Sequence, residues 1–348
     1  MKDVGADIEA WSREGSAFAL ATVVQTWGSA PRAAGSKMAI AADGRMAGSV
    51  SGGCVEAAVI EAARKTLRDG VPQLLHFGVA DETAWAVGLA CGGTIDVFVE
   101  KAGPGLLDEV RSLSQGERAG VRATVVAGPH LGEHWLLQAD GVAEGPLGDF
   151  TEGVRAAAQA ARTDGKSARA TFGESQVFLD VVRPAPTLVV VGGVHIAIAL
   201  TRIAQALGYR TIVVDPRPAF ASEARFPHAD RVVSDWPDEA LGRIGLTTET
   251  AVAVLTHDPK LDDPALRAAL PSPAFYVGAL GSKATHAKRR QRLLEGGLGE
   301  EHLDRLHAPI GLDLGGRSPE EIALSVMAQV VAVRNASSLS QGVLRRTP

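Results

Sequence analysis

This chain of 348 residues has two cysteines, and each stands against a pair of glycines. The first lies in Ser49-Val50-Ser51-Gly52-Gly53-Cys54-Val55-Glu56, the second in Cys91-Gly92-Gly93-Thr94. Glycine lets a backbone come close to a ligand. A thiol at a helix start is biased towards thiolate, the nucleophilic and metal-binding form. An apolar period runs from Val55 through Ala58, Val59, Ala62, Ala63 and Leu67 to Gly70, so Cys54 falls where a glycine-rich turn becomes a helix. The unpaired N–H groups and positive dipole end at such a start favour an anion. That makes Ser51, Gly52 and Gly53, with Gly92 and Gly93, candidates to hold one. A free cysteine is also among the most buried residue types; the shared Gly-Gly setting is what favours a site over core filling.

Several elements must position these turns. A helix is predicted over 2–14 and a strand over 17–26. A loop of small residues, Gly28-Ser29-Ala30-Pro31-Arg32-Ala33-Ala34-Gly35-Ser36-Lys37, follows. Arg32 and Lys37 bring two cations to it, which suits a phosphate or another anion, although lone surface charges are common. Strands over 37–41 and 45–49 around Asp43-Gly44 read as a hairpin leading into the Cys54 turn. Beyond Gly70, strands are expected over 72–77, 94–100, 121–127, 133–138, 168–172 and 176–182, with helices over 105–113 and 154–161. This first half, residues 1–183, is expected to be an α+β domain with a mixed sheet. Arg183-Pro184-Ala185-Pro186 reads as a semi-rigid linker, because two prolines in four residues resist both helix and central strand.

Residues 187–340 read as a Rossmann-type parallel-sheet domain, which makes the chain α/β as a whole. The apolar run Thr187–Val191 leads to Gly192-Gly193, a helix over 194–207 follows, and the strand 211–214 ends at Asp215. Further strands are expected at 232–233, 251–255 and 274–278. Ligands of such sheets sit beyond the carboxyl ends of the strands. There the sequence places Gly192, Gly193 and His195, then Asp215 for a ribose hydroxyl, then His257 and Asp258, then Gly281 and Ser282. In the pattern G-x-G-x-x-G/A the second glycine is replaced by Val194, which crowds the pyrophosphate approach and weakens the inference to NAD(P). Ser318-Pro319-Glu320-Glu321 sets the start of a last helix running to about 333.

Composition narrows the function classes. A hydrophobic share of 46% with 22% charged residues fits a globular chain, and a net charge of −5 without a basic block gives no nucleic-acid surface. Lys288-Arg289-Arg290 reads as a solvated helix face. No signal sequence and no membrane span are expected. Two cysteines give no disulfide framework, so a reducing, cytoplasmic setting is expected. They also do not make a four-cysteine metal site within one chain. A site shared across a homodimer stays open.

Taken in order, these motifs resemble the xanthine dehydrogenase accessory protein family, XdhC/CoxI. The likeness rests on Gly28-Ser29-Ala30-Pro31-Arg32, Gly35-Ser36-Lys37-Met38, Ser51 to Glu56 and Cys91-Gly92-Gly93. It continues in the Gly192 turn with His195, Val214-Asp215-Pro216-Arg217, Thr256-His257-Asp258, Tyr276-Val277-Gly278, Gly281-Ser282-Lys283, Pro309-Ile310-Gly311-Leu312-Asp313 and the Ser318 helix start. The departure is Val194, where the family has a second glycine. The resemblance implies a maturation factor rather than a stand-alone enzyme. Such a factor binds the molybdenum cofactor, supports its sulfuration with a cysteine desulfurase, and inserts it into a molybdenum hydroxylase such as xanthine dehydrogenase. It implies a metal or persulfide role for Cys54 first and Cys91 second, in keeping with soft molybdenum and dithiolene sulfur. Two other classes stay open: an NAD(P)-dependent oxidoreductase, and a regulatory module that senses a nucleotide.

Overall fold

The computed structural model describes residues 4–30, 32–78, 93–103, 105–106, 108–109, 119–138, 141, 143–144 and 151–336. They fall into two compact units, Met1–Pro184 and Ala185–Pro348.

The first unit holds two five-stranded sheets. One contains β1 (Phe18–Trp27), β2 (Lys37–Ala41), β3 (Met46–Gly48), β4 (Gln73–Phe77) and β5 (Thr94–Lys101), in the order β3-β2-β1-β5-β4. The other contains β6 (Gly120–Ala127), β7 (His134–Leu137), β8 (Ala143–Glu144), β9 (Ala168–Phe172) and β10 (Ser175–Val182), in the order β8-β7-β6-β10-β9. Every described pairing is antiparallel. This corrects the single mixed sheet expected from sequence. Connections such as Ala42 to Arg45 and Gly173-Glu174 are too short for the crossover that parallel neighbours need. The helix expected over 105–113 lies largely outside the described residues.

Side-chain alternation along the strands sorts this unit into layers. Ala19, Ala21, Val23, Val97 and Val99 turn to Val59 and Ala63 of helix α2 (Glu56–Asp69), which follows helix α1 (Gly5–Arg13). Val121, Ala123, Val177 and Leu179 turn to Val154, Ala158 and Ala161 of helix α3 (Thr151–Asp164). The intervening residues, among them Thr22, Val24, Phe98, Thr124 and Phe178, face one another across a cavity of about 20 Å³, room for a single water. Among the described residues, three ion pairs cross between the sheets: Lys37–Asp180 at 2.6 Å, Arg122–Glu100 at 2.9 Å and Arg169–Asp96 at 2.8 Å. Each half of a pair has a charge that is costly to bury alone, so the pairs oppose any slip of one sheet over the other.

The second unit is a six-stranded parallel sheet. Its strands are β11 (Thr187–Val191), β12 (Arg210–Val214), β13 (Arg231–Val233), β14 (Thr250–Val254), β15 (Tyr276–Ala279) and β16 (Leu306–His307), ordered β13-β12-β11-β14-β15-β16. That is the doubly wound order, which reverses between β11 and β14. One face packs on helices α4 (His195–Ala206) and α9 (Pro319–Arg334), through Leu188, Val190, Ala253, Leu200 and Val326. The other packs on α5 (Pro237–Ile244), α6 (Pro259–Ala269) and α7 (Lys283–Glu295), through Val189, Val252, Leu241, Leu266 and Leu293. A short helix α8 (Glu300–Leu303) precedes β16. The start of α9 is the capping box read from Ser318 and Glu321. On α7 the expectation of a solvated basic face fails at Arg289. Its side chain is buried and pairs with Asp262 at 2.9 Å, while neighbouring Lys288 stays exposed.

Candidate functional site

The Cys54 turn is held together by an anion of its own. The carboxylate of Glu56, the first residue of α2, accepts from Ser49 Oγ at 2.7 Å and Ser51 Oγ at 2.5 Å. It also accepts the backbone N–H groups of Ser51, Gly52, Gly53 and Val55 at 2.9–3.2 Å. Gly52 and Gly53 have φ of 80° and 120°, so the chain can wrap its amides around one point only with glycine in those places. Burial raises the Glu56 pKa, but the hydroxyls of Ser51 and Ser49 and the Ser51 amide outweigh it, and the value falls to about 2. The turn is thus the anion nest read from its glycines, already filled by the carboxylate that ends the motif. A phosphate does not enter it without displacing Glu56. The sequence carries the signal, since Ser49, Ser51 and Glu56 flank the glycines, and the anion comes from within the chain.

Cys54 sits on this turn with its thiol exposed. The helix begins at Glu56 rather than Val55, which keeps Cys54 in the turn, two residues before the helix proper. Val50 and Val55, on either side of the turn, are fully buried in the apolar cluster between the first sheet and α2. The glycine loop is therefore rooted at both ends. Ala30, from the Gly28-Ser29-Ala30 turn, packs against the same cluster. Gly93 presses on that turn: a Cβ there would lie 2.8 Å from Ala30 N and 2.9 Å from Ser29 C. Cys91 and Gly92 lie outside the described residues.

Lys37 is not a free cation of the loop. It is buried between the sheets and donates to Asp180, a partner 143 residues away that no local spacing reveals. Arg32 is half-buried in the turn after Ala30.

In the second unit, Gly192, Gly193, Asp215, the Thr256-His257-Asp258 turn and Gly281-Ser282 all stand at carboxyl ends of strands, as expected of the topology. Gly192 packs on the turn after β14, where its missing Cβ would be 2.6 Å from Thr256 Cγ2. His195 and His257 are exposed, and His257 has φ of 66°. Asp258 caps α6 by accepting from the Lys260 amide at 3.0 Å, and Ser282 caps α7 through the Thr285 amide at 3.1 Å. Asp215 is fully buried. Its oxygens accept from Gly193 N at 2.9 Å and from Arg217 N, Nε and Nη2 at 3.0, 2.8 and 2.7 Å. Burial raises its pKa, the Arg217 hydrogen bonds lower it further, and the net direction is down. A carboxylate offers about four acceptor positions, so this one is filled and has none left for a ribose. Gly193 is engaged on both sides as well, because its carbonyl accepts from Arg225 at 3.0 Å. A Cβ on it would meet Phe220 O at 2.2 Å. The switch-point residues thus come together, and Asp215 closes on its own chain.

Among the described residues, no three His, Cys, Asp or Glu side chains group as a metal site, and no helix is long and apolar enough to cross a membrane.

Fold and site together define a two-unit protein, with an exposed thiol on a locked turn in an antiparallel unit and a Rossmann-type unit after it. Residues 11–78 match the XdhC and CoxI family, and residues 188–330 match the XdhC Rossmann domain. A protein of Escherichia coli (strain K12) named molybdenum cofactor insertion chaperone PaoD is 30% identical over 92% of this chain and 84% of its own. A protein of Bacillus subtilis (strain 168) described as a probable xanthine dehydrogenase subunit is 29% identical over 90% of this chain and 92% of its own. A crystal structure described as a xanthine dehydrogenase from Bacillus halodurans shares the fold, with a TM-score of 0.79, 24% identity and 98% of both chains covered. The chain belongs to the XdhC and CoxI family.

Proposed function

We propose that the protein is a chaperone for the molybdenum cofactor, which it binds, presents for sulfuration and inserts into a hydroxylase of the xanthine dehydrogenase type. The observation that carries this reading is Cys54, an exposed thiol on a turn that Glu56 and the glycines hold in one shape. A sulfur held in a fixed place is a suitable soft ligand for molybdenum, or a carrier of sulfur. Likeness to the insertion chaperone PaoD over most of both chains supplies the class of cargo. Cys91 is the second thiol of this reading, a cysteine desulfurase the sulfur donor and the cytoplasm the setting. A homodimer would give the cargo a second thiol pair.

The test is anaerobic incubation of wild type and Cys54→Ala with molybdenum cofactor, followed by gel filtration and assays for metal and pterin. Wild type is expected to retain cofactor near one per chain and Cys54→Ala to lose it while keeping its melting temperature. Equal retention by the two proteins would remove Cys54 from the reading.

The oxidoreductase alternative is disfavoured by the geometry of the second unit. Asp215 and Gly193, the two groups that would meet the ribose and pyrophosphate, are spent on Arg217 and on each other. NAD(P)H at millimolar concentration is expected to leave the melting temperature unchanged. A clear rise, as mass action gives for any ligand well above its Kd, would restore the dinucleotide reading.

A further inference from the structure

The first unit carries a second polar cluster, at the end of β1. Strand register places His76 of β4 opposite Asp96 of β5, and Trp27 of β1 opposite Thr94. The Asp96 carboxylate is 5% exposed and bound on both oxygens: His76 Nδ1 lies 2.6 Å from Oδ1, and Arg169 Nη1 lies 2.8 Å from Oδ2. The His76 side chain itself is 61% exposed. Its ring stands at 65° to the indole of Trp27, 6.3 Å between centroids, and the Arg169 guanidinium lies 5.9 Å from the same indole. Trp27 is 42% exposed, a large apolar ring left in water.

Joining the two sheets requires only Asp96 and Arg169. It does not require an exposed imidazole pinned to the other oxygen, nor an open indole beside it. A carboxylate at Nδ1 holds the proton there and leaves Nε2 as a fixed acceptor. The missing side chain of Gly78 adds to this. A Cβ there would sit 3.4 Å from His76 Nε2 and 3.2 Å from Thr94 Oγ1. In its absence nothing from Gly78 crowds the acceptor or the hydroxyl. The neighbourhood therefore offers an aromatic ring to stack on, an oriented nitrogen acceptor and a hydroxyl. Arg169 is already bound to Asp96, so the cluster brings no uncommitted cation for a simple anion. That set suits a flat heterocycle carrying N–H donors.

We propose that Trp27 and His76, with Asp96 holding the imidazole, form a docking site for a pterin ring. The choice of pterin among flat heterocycles rests on the chaperone reading above. The ring stacks on Trp27 and donates an N–H to His76 Nε2, apart from the thiol chemistry at Cys54.

A fluorescent pterin without molybdenum or dithiolene, pterin-6-carboxylate, separates this proposal from the chaperone reading. Its anisotropy is measured against wild type, Trp27→Leu and His76→Gln, and folding is checked by thermal melts. Saturable binding to wild type is expected, weakened roughly tenfold or more in each variant, as loss of a base–aromatic stack or an oriented acceptor gives. His76→Gln leaves Asp96 with Arg169 and serves as the folded control if Trp27→Leu melts early. Binding of equal strength in wild type and His76→Gln overturns the proposal. So does absence of binding to wild type, even where cofactor insertion into the client enzyme proceeds. Failure of insertion with pterin binding intact would count against the chaperone reading and leave the site standing.

Discussion

Glu56→Gln is expected to open the Cys54 turn and to lower client activation nearly as far as Cys54→Ala does. Four backbone amides and two hydroxyls point at the Glu56 carboxylate. An amide side chain puts one oxygen and one NH₂ in that place. The NH₂ then faces other donors, and the charge assistance is gone. Hydrogen bonds to charged groups contribute about 1.5–3 kcal/mol each, and water reaches this half-exposed turn, so a net loss of about 2 kcal/mol is reasonable. The direct readout is alkylation of Cys54, resolved by peptide from that of Cys91. The variant should show a changed Cys54 rate and an unchanged Cys91 rate. An unaltered rate and melting temperature would mean that the glycines alone shape the turn. Acid gives a second check with a definite sign. The folded Glu56 pKa of about 2 lies below the ordinary 4.5, so its contribution is complete above about pH 4.5 and is lost as pH falls through 2. The stability gap between wild type and Glu56→Gln should narrow from pH 5 towards pH 2.

The sequence made some of this legible and hid the rest for physical reasons. Local signals held where structure is decided locally. Gly70, at φ 72°, ends α2; Ser318 and Glu321 cap α9; Thr187 to Asp215 fold as strand, glycine turn, helix and strand. Helices α5 and α6 are not legible in the sequence, and α7 shows there only as a basic helix face at Lys288-Arg289-Arg290. α6 carries Pro264 inside it, and α7 reads Lys-Ala-Thr-His-Ala-Lys-Arg-Arg, with little apolar period to see. The glycines of the Cys54 turn did announce an anion nest, but not that Glu56 fills it. Pairings such as Lys37 with Asp180 and His76 with Asp96 depend on sheet packing and strand register, which no spacing along the chain reveals. The same blindness applied to Asp215. Its position at a strand end is local information, whereas the closure of Arg217 and Gly193 around it is not.

Arg289 is the clearest case of a residue whose role reverses between sequence and structure, and its replacement carries the largest expected stability effect. Arg289→Met is expected to destabilise the protein by about 3–5 kcal/mol, the usual cost of leaving one half of a buried pair behind. Arg289 is 1% exposed and its partner Asp262 2% exposed. The guanidinium also donates to the Leu280 carbonyl at 2.9 Å, and Thr256 donates to Asp262 from the turn after β14. One cation thus ties α7, α6 and the strand-end turns of the second unit together. Burial pushes the Asp262 pKa up against the pull of Thr256 and Arg289, and the net direction is upward. Without Arg289 that push is less opposed, so Asp262 takes up a proton more readily in the variant. Because the folded pKa is raised, the neutral form gains stability as pH falls, and the deficit of Arg289→Met should be smaller at pH 5 than at pH 7. Asp262→Asn combined with Arg289→Met removes both charges and is expected to recover part of the loss. Denaturant unfolding of the wild type, the single variant and the double variant at both pH values decides this. A single variant within about 1 kcal/mol of wild type would show that this buried pair contributes no more than a surface one.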